Sequence, residues 1–437
     1  MMDLQDYAIY RRVLKLCLEH ACDVEIKFEH SFSLVYLDEI ASVLEQILYI
    51  GAEAYYFSSY LAEEKMSATG IDILYEDNCF TFRRSFYQEF LQLEMMGNSQ
   101  HSSLAVFNNQ CFTEFQATLK KCFSIEYKDI AATIWLIHDY NANKGGELVL
   151  CNWSLFPAVL EEAFGTEYKY GDIFFSGLTI NKNNKLSLRD AIYKPDNLNR
   201  CLYRPILIWN VNGKPMAILG EAAFDHAIIS LCINGFGWGK YPKEWVCKCF
   251  DEFVNKQKHE NGTRLENAIE KIFMENNILY DRNLKFIRKY NNRNININNM
   301  PGEIDFLFIH EGRIYVVDSK YQMLRYDMNN FRNDYSYFNE KYNLKLSQKI
   351  KFIADHLKEI EEHFQILKKD YEFKLKIDVV EGLFIINVPT FVMINNEHKI
   401  VTLFELLNMI GKGPTYKSYS FTVTKNGRPS LGISYHD

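Results

Sequence analysis

Apolar positions along this chain follow two periods, and the order in which they alternate predicts the architecture. A helical spacing runs from about Leu4 to His20. Two short alternating runs follow, DVEIKF from Asp23 and SFSLVYL from Ser31, and both predict strands. A helix is expected from about Glu39 to Ile50. Further on, RPILIWNVNGKPMAILG sets two β-rich runs on either side of Asn212-Gly213, a dipeptide that tolerates the positive φ of a tight hairpin turn. A helix is predicted next, from about Glu221 to Cys232.

NKQKHENG, residues 255–262, is polar and ends in Gly, as a helix–loop junction would. The sequence thus predicts two domains, 1–255 and 256–437. In the second, TRLENAIEKIFMENN places Leu265, Ile269, Ile272 and Phe273 on one helical face. LKFIRKY (Leu284 to Tyr290) has a strand pattern, and the Asn-rich NNRNININN is a loop. EIDFLFIH (Glu303 to His310), a tight turn at Glu311-Gly312-Arg313 and IYVVDSKY (Ile314 to Tyr321) predict a hairpin. Helices are expected from Asp327 to Lys341 and from Leu346 to Lys368, then a strand from Lys376 to Val388. The predicted fold class is α/β: an α+β N-terminal domain, then a domain ordered α-β-β-β-α-β. The tail FTVTKNGRPSLGISY predicts a terminal hairpin around Asn426-Gly427.

Composition narrows the function. Of 437 residues 48% are hydrophobic and 65 are aromatic, enough apolar surface to offset chain entropy and exclude general disorder. No apolar run is long enough to span a membrane, and the early acids and the Arg11-Arg12 pair do not fit a secretory signal, so a cytoplasmic location is expected. Net charge is −7, but unevenly spread: residues 1–250 hold 22 Lys+Arg against 31 Asp+Glu, the remainder 27 against 25. A basic groove in the second half is compatible with that balance. All ten cysteines precede residue 250, irregularly spaced, and read as buried thiols of a reducing compartment rather than a zinc site. GFGWGKY lacks the spacing and the Ser/Thr of a phosphate loop, and neither G-x-S-x-G nor H-E-x-x-H occurs.

The candidate chemistry lies at Asp305, Asp318 and Lys320. Side chains two apart on a strand share a face, so Asp318 and Lys320 project together. A tight hairpin brings the Asp305 strand alongside, about 5 Å away. Acids interrupting such apolar strands are expected to be buried, and a buried charge needs a partner or a metal. Two carboxylates with substrate phosphate oxygens suit Mg²⁺, or Mn²⁺.

P-G-E-I-D (Pro301 to Asp305) followed after thirteen residues by D-S-K (Asp318 to Lys320) resembles the PD-(D/E)XK nuclease superfamily, whose core order is also α-β-β-β-α-β. With Tyr321 after the Lys, the form is similar to nuclease subunits of methylcytosine-dependent restriction systems. The likeness covers about residues 260–390. It implies a restriction-endonuclease-like fold, Asp305 and Asp318 as metal ligands, Lys320 acting on the attacking water, and an acid on the preceding helix. Glu266 stands at that place, as an extra catalytic or metal-binding residue, with Glu270 the alternate one turn later. Gln322 and Tyr326 match a Q-x-x-x-Y pattern seen after the Lys in some members.

The expected function is a Mg²⁺-dependent DNA endonuclease in restriction or anti-phage defence. The partners expected are DNA, with RNA the alternative, a separate NTPase, and further copies of the chain. The competing reading is a catalytically silent scaffold of the same fold that regulates or binds nucleic acid. Arg264, Lys285, Arg288, Lys289, Arg293 and Arg325 could track phosphates, and Tyr290 or Tyr321 could stack on a base or pack in the sheet.

Overall fold

The computed structural model describes residues 4–27, 34–66, 71–76, 79–84, 104–142, 149–290, 293–297, 301–325, 328–375, 379–394, 396–411, 416–423 and 429–436. The fold is α/β, and none of the described helices is long and apolar enough to cross a membrane. The chain divides into two compact units. One comprises Met1–Ala62, Ala105–Glu260 and Tyr326–Asn330, the other Glu63–Leu104, Asn261–Arg325 and Phe331–Asp437.

In chain order, the elements that lie in the first unit begin with α1 (Leu4–His20), β1 (Glu25–Ile26) and α2 (Leu34–Met66), whose last residues fall in the second. The strand expected at SFSLVYL is therefore corrected: its Leu34 to Leu37 open a helix of 33 residues, and Ser31 to Ser33 lie outside the described residues. Leu34, Leu37, Ile40 and Val43 recur at every third position, a helical spacing, and a seven-residue apolar run cannot by itself distinguish strand from helix. In the second unit β2 (Ile71–Glu76) and β3 (Cys79–Arg84) pair antiparallel.

The first unit continues with α3 (Leu104–Phe123), α4 (Tyr127–Ala142), β4 (Val149–Asn152), α5 (Leu155–Phe164), α6 (Tyr168–Gly177), β5 (Thr179–Ile180) and α7 (Leu188–Tyr193). Then come β6 (Ile206–Val211), β7 (Lys214–Leu219) and α8 (Glu221–Asn234). The Asn212-Gly213 turn has φ of 49° and 76°, the two positive values of a two-residue hairpin turn. Its sheet is ordered β1-β6-β7-β4, with β5 also parallel to β6. Beside it lies an aromatic core in which Trp245 stacks on Phe174 at 5.3 Å and donates its indole N–H to the Phe174 carbonyl at 3.1 Å. Gly177 is required there, because a Cβ would stand 2.1 Å from Trp245 Nε1.

The cysteine expectation needs a correction. Cys122, near the end of α3, and Cys249 form a disulfide. Seven described cysteines are free thiols, four of them buried. Irregular spacing in sequence says nothing of which Cα atoms the fold brings within bridging distance, here 5.7 Å.

Helix α9 (Lys248–Glu275) runs through residues 255–262, so the predicted helix–loop junction is continuous helix. The segment contains no Pro, and its one Gly costs a helix only about 1 kcal/mol. The second unit continues with β8 (Leu279–Leu284), β9 (Phe286–Ile287), β10 (Ile295–Asn296), β11 (Ile304–His310) and β12 (Arg313–Lys320). The first strand of this sheet thus begins five residues before LKFIRKY, and β9 pairs with β10 inside the expected loop. Next come α10 (Met328–Tyr337), a π-helical turn (Phe338–Tyr342), α11 (Asn343–Asp355), α12 (Leu357–Lys368), β13 (Val379–Ile386), β14 (Lys399–Thr402) and α13 (Leu403–Met409). The expected single helix from Leu346 to Lys368 is two, broken at His356. β15 (Tyr416–Val423) and β16 (Pro429–His436) pair antiparallel, and the Asn426-Gly427 turn lies outside the described residues.

The main sheet is ordered β14-β13-β12-β11-β8. β8, β11 and β12 are antiparallel neighbours, while β13 and β14 join parallel to β12. Strand alternation splits its core into two layers. Phe306, Phe308 and Val317 pack with Leu265, Ile269 and Phe273 of α9. Leu307, Ile314 and Val316 pack with Leu346 and Ile353 of α11 and Ile360 of α12 on the other face.

Gly382 of β13, register partner of Val316, lets α11 lie close on this face. A Cβ there would stand 2.4 Å from Ile350 Cδ1 and 3.1 Å from both Leu346 Cδ2 and His398 Nδ1. Gly382→Ala is expected to destabilise the protein by about 1–3 kcal/mol through overpacking. A thermal melt checks this, and an unchanged Tm would show that α11 shifts without cost.

Candidate active site

The β11–β12 hairpin turns in two residues, Glu311 and Gly312, at φ of 47° and 74°. That turn sets the register Phe306↔Val317, and one further step puts Asp305 opposite Asp318. Residues opposed in this way point to one face with Cβ atoms about 5 Å apart. Both carboxylates therefore lie at the same end of the sheet, on the α11 face.

Asp305 Oδ2 accepts hydrogen bonds from the Ser319 backbone N–H at 2.7 Å and the Ser319 hydroxyl at 2.8 Å. Asp318 is 4% exposed. Its Oδ2 meets Lys320 Nζ at 2.6 Å and its Oδ1 meets Lys349 Nζ at 2.7 Å. Lys320 Nζ also lies 5.2 Å from the centre of the Tyr342 ring, a cation–π contact supplied by the π-helical turn. The structure thus brings Asp305, Asp318 and Lys320 together.

Glu266 is not among them. The apolar stripe of α9 packs on the Phe306 face, the far side of the sheet. There Glu266 accepts from Arg282 Nη2 at 2.9 Å, and Glu270, the alternate, accepts from Arg282 Nη1 at 2.6 Å and from Tyr280 at 3.2 Å. Arg282 is the register partner of Phe306 and lies over its ring. Both acids therefore clamp α9 to β8.

Lys349 is the residue that sequence reasoning missed. It falls in the apolar stripe of α11 with Leu346, Phe352 and Ile353, and is 5% exposed. A Lys inside an apolar stripe is the one available signal, since full burial of Lys requires a partner. The helix is fixed by paired hydrogen bonds between Asn343 and Asn396, at 2.8 and 2.9 Å, and by Ser347 against His398 Nε2 at 2.7 Å.

The other candidates divide. Gln322 is buried, and its backbone N–H and C=O both bond the Asn387 side chain, tying the ends of β12 and β13; Tyr326 lies outside the described residues. Arg325 is held by Asp334 through three contacts of 2.6 to 3.2 Å. Tyr321 packs against the α9-side core, while Tyr290 is half exposed beside Tyr371 and donates to Gln365 at 2.8 Å. Lys285, Arg288 and Arg293 are exposed on the segment that leaves the sheet after Leu284. Leu284 pairs with Ile304, so this segment departs at the end that carries Asp305.

A family profile now bears on this geometry. Residues 241–392 match NERD, the nuclease-related domain. The NERD match covers about a third of the chain and contains α9, every strand from β8 to β13, and all four residues of the Asp305–Lys349 cluster. The C-terminal part of the chain is thus nuclease-related. Neither the curated proteins nor the solved structures contain a match to this chain.

The electrostatics of the two acids differ. Burial, and then the neighbouring charge of Asp318, push the Asp305 carboxyl above its ordinary value of 3.8. Burial acts on Asp318 the same way, but the ammoniums of Lys320 and Lys349 outweigh it and hold that carboxyl low. For Asp305 the unfolded chain releases its proton first. Stability therefore falls as pH rises from the ordinary carboxylate range through the raised folded value, and the cost is fully present at neutral pH. Asp305→Asn keeps an acceptor for Ser319 and removes the charge. It is expected to raise Tm by a few degrees at pH 7, with the gain shrinking toward pH 4. Melting curves across that range check it, and a lower Tm at pH 7 would contradict the assignment.

Proposed function

We propose that this chain is a metal-dependent phosphodiester hydrolase, a DNA endonuclease of the PD-(D/E)XK type. One observation carries the reading: within the nuclease-related segment, two opposed carboxylates and a partly exposed ammonium converge at the end of adjacent strands. Among the described residues no three His, Cys, Asp or Glu side chains group as metal ligands. The site instead offers two carboxylates, which suffices for Mg²⁺ or Mn²⁺ when water and substrate phosphate oxygens complete the shell. The raised Asp305 carboxyl fits, because a cation beside it would counterbalance both the burial and the charge of Asp318.

In this reading Asp305 and Asp318 would hold the ion. When bound, it acidifies a water and neutralises charge developing on the phosphate. Ser319 fixes the orientation of Asp305. Lys320, whose side chain is 21% exposed, turns from Asp318 toward substrate, where it holds the attacking water or a phosphate oxygen. Lys285, Arg288 and Arg293 line the approach for the nucleic-acid backbone. The products would carry 5′-phosphate and 3′-hydroxyl ends. A cytoplasmic role in restriction or anti-phage defence, with a separate NTPase and self-association, completes the proposal. The opposing reading is a silent scaffold, favoured by the ammonium on each oxygen of Asp318.

Purified protein should nick or cut duplex DNA with Mg²⁺ or Mn²⁺, and lose at least about 1,000-fold in rate in Asp305→Ala and Lys320→Ala. Single-stranded DNA and RNA run in parallel identify the substrate. Glu266→Gln should retain cleavage within about tenfold while lowering Tm, because its partner Arg282 lies on the opposite face. Cutting that persists without metal or in both site variants would reject the proposal. Absence of Mn²⁺ binding by calorimetry, with and without duplex DNA, would favour the scaffold.

A further inference from the structure

We propose that Lys349 is the protein's own stand-in for the divalent cation at Asp318. It pairs with that carboxylate in the metal-free fold and competes with the metal for one carboxylate oxygen. The inference rests on the metal-site reading above.

Three observations lead to it. Lys349 occupies a core position of α11, flanked in the stripe by Leu346, Phe352 and Ile353. An ammonium placed there is costly unless paired. Its Nζ lies 2.7 Å from Asp318 Oδ1, so the pair meets that requirement without help from solvent. The site also balances without metal: two carboxylates face two ammoniums. A divalent ion entering this set adds two positive charges beside two already present. Lys320 can leave, since its side chain is the more exposed of the two, at 21% against 7%. Lys349 cannot reach solvent as readily, because α11 is pressed on the sheet over Gly382 and tied by Asn343 and Ser347.

The consequence is a threshold. The free protein holds metal weakly, since a fixed positive charge opposes it. Nucleic-acid phosphates bring the negative charge that tips the balance, so metal and substrate load together. Lys349 acts here as a positioning residue. It acts through its contact with Asp318.

Calorimetric Mn²⁺ titration and thermal melts of the full chain test this with two substitutions. Lys349→Gln keeps a hydrogen-bond donor for Asp318 and removes the charge; Lys349→Arg keeps the charge. Lys349→Gln should bind Mn²⁺ roughly 10- to 100-fold more tightly than wild type, as expected for removing one like charge a few ångströms from the ion. Its metal-free Tm should drop, and Mn²⁺ should restore it by more degrees than it adds to wild type. Lys349→Arg should stay within about threefold of wild-type affinity, since the charge is unchanged. Asp318→Asn should abolish the signal in every background. If wild type binds Mn²⁺ through Asp318 but Lys349→Gln binds it no more tightly, this inference fails and the metal-site reading stands. If neither wild type nor any variant binds Mn²⁺, both fail.

Discussion

A carboxylate that is 4% exposed can remain ionised only if something positive stays beside it, and the arrangement around Asp318 follows from that constraint. Two lysines meet the need from different elements, Lys320 from the same strand and Lys349 from α11. The strand supplies Lys320 at no extra cost, since residues two apart share a face. The helix supplies Lys349 only if it lies close to the sheet and in one rotational setting. Gly382, the Asn343–Asn396 pair and the Ser347–His398 contact provide that closeness and setting. Packing that reads as ordinary core is thereby linked to the charge state of one side chain.

Asp305 answers the same constraint differently. It sits opposite Asp318, and its Oδ2 is bound by the Ser319 N–H and hydroxyl rather than by an ammonium. Neutral donors compensate a buried charge less than an ion pair does. The two acids are therefore inequivalent: one is satisfied, the other carries the repulsion. A fold shaped only for stability would not place the second carboxylate there, because an amide would make the same bonds without the penalty. Strain retained at a cluster of ionisable groups is a recognised mark of functional sites. It is also what a cation would relieve, which separates this cluster from the Glu266–Arg282–Glu270 clamp on the far face, where each charge already has its partner.

The sequence made the hairpin half of the site legible. The period of two fixed which of Asp318 and its neighbours share a face, and a tight turn is expected at Glu311-Gly312-Arg313, although the structure turns in Glu311 and Gly312 alone and pairs Arg313 with His310. Both are local properties. What was not legible depended on contacts between distant segments. Glu266 has the right spacing for a helical acid, but only the packing of Leu265, Ile269 and Phe273 shows which sheet face it serves. Lys349 is one of three lysines in α11, and its place in the stripe of Leu346, Phe352 and Ile353 hints at an inward charge without naming the partner that lies on β12. The same limit applies to the fold. A seven-residue apolar run fits a strand by itself but belongs to a helix of 33 residues, and a polar stretch that fits a break lies inside α9. Polarity alone does not end a helix in the absence of Pro or a capping Gly. The Cys122–Cys249 bridge joins segments 127 residues apart and lay beyond any spacing rule.

The lysine pair bears on how a two-carboxylate site could be both stable and responsive. With only Lys320 present, Asp318 would trade its partner for substrate at the moment of binding and be left buried beside Asp305, two like charges at close range. Breaking a buried pair in that way costs several kcal/mol, roughly 3–5. With Lys349 fixed on the other oxygen, a departure of Lys320 would leave a paired carboxylate and spare the fold the full penalty. The two ammoniums are thus not redundant. In the proposed site the buried one would stabilise the strand end, and that stability would permit the exposed one to move. Their difference in exposure, set by one lying on a helix and the other at the end of a strand, is what the proposed roles rest on.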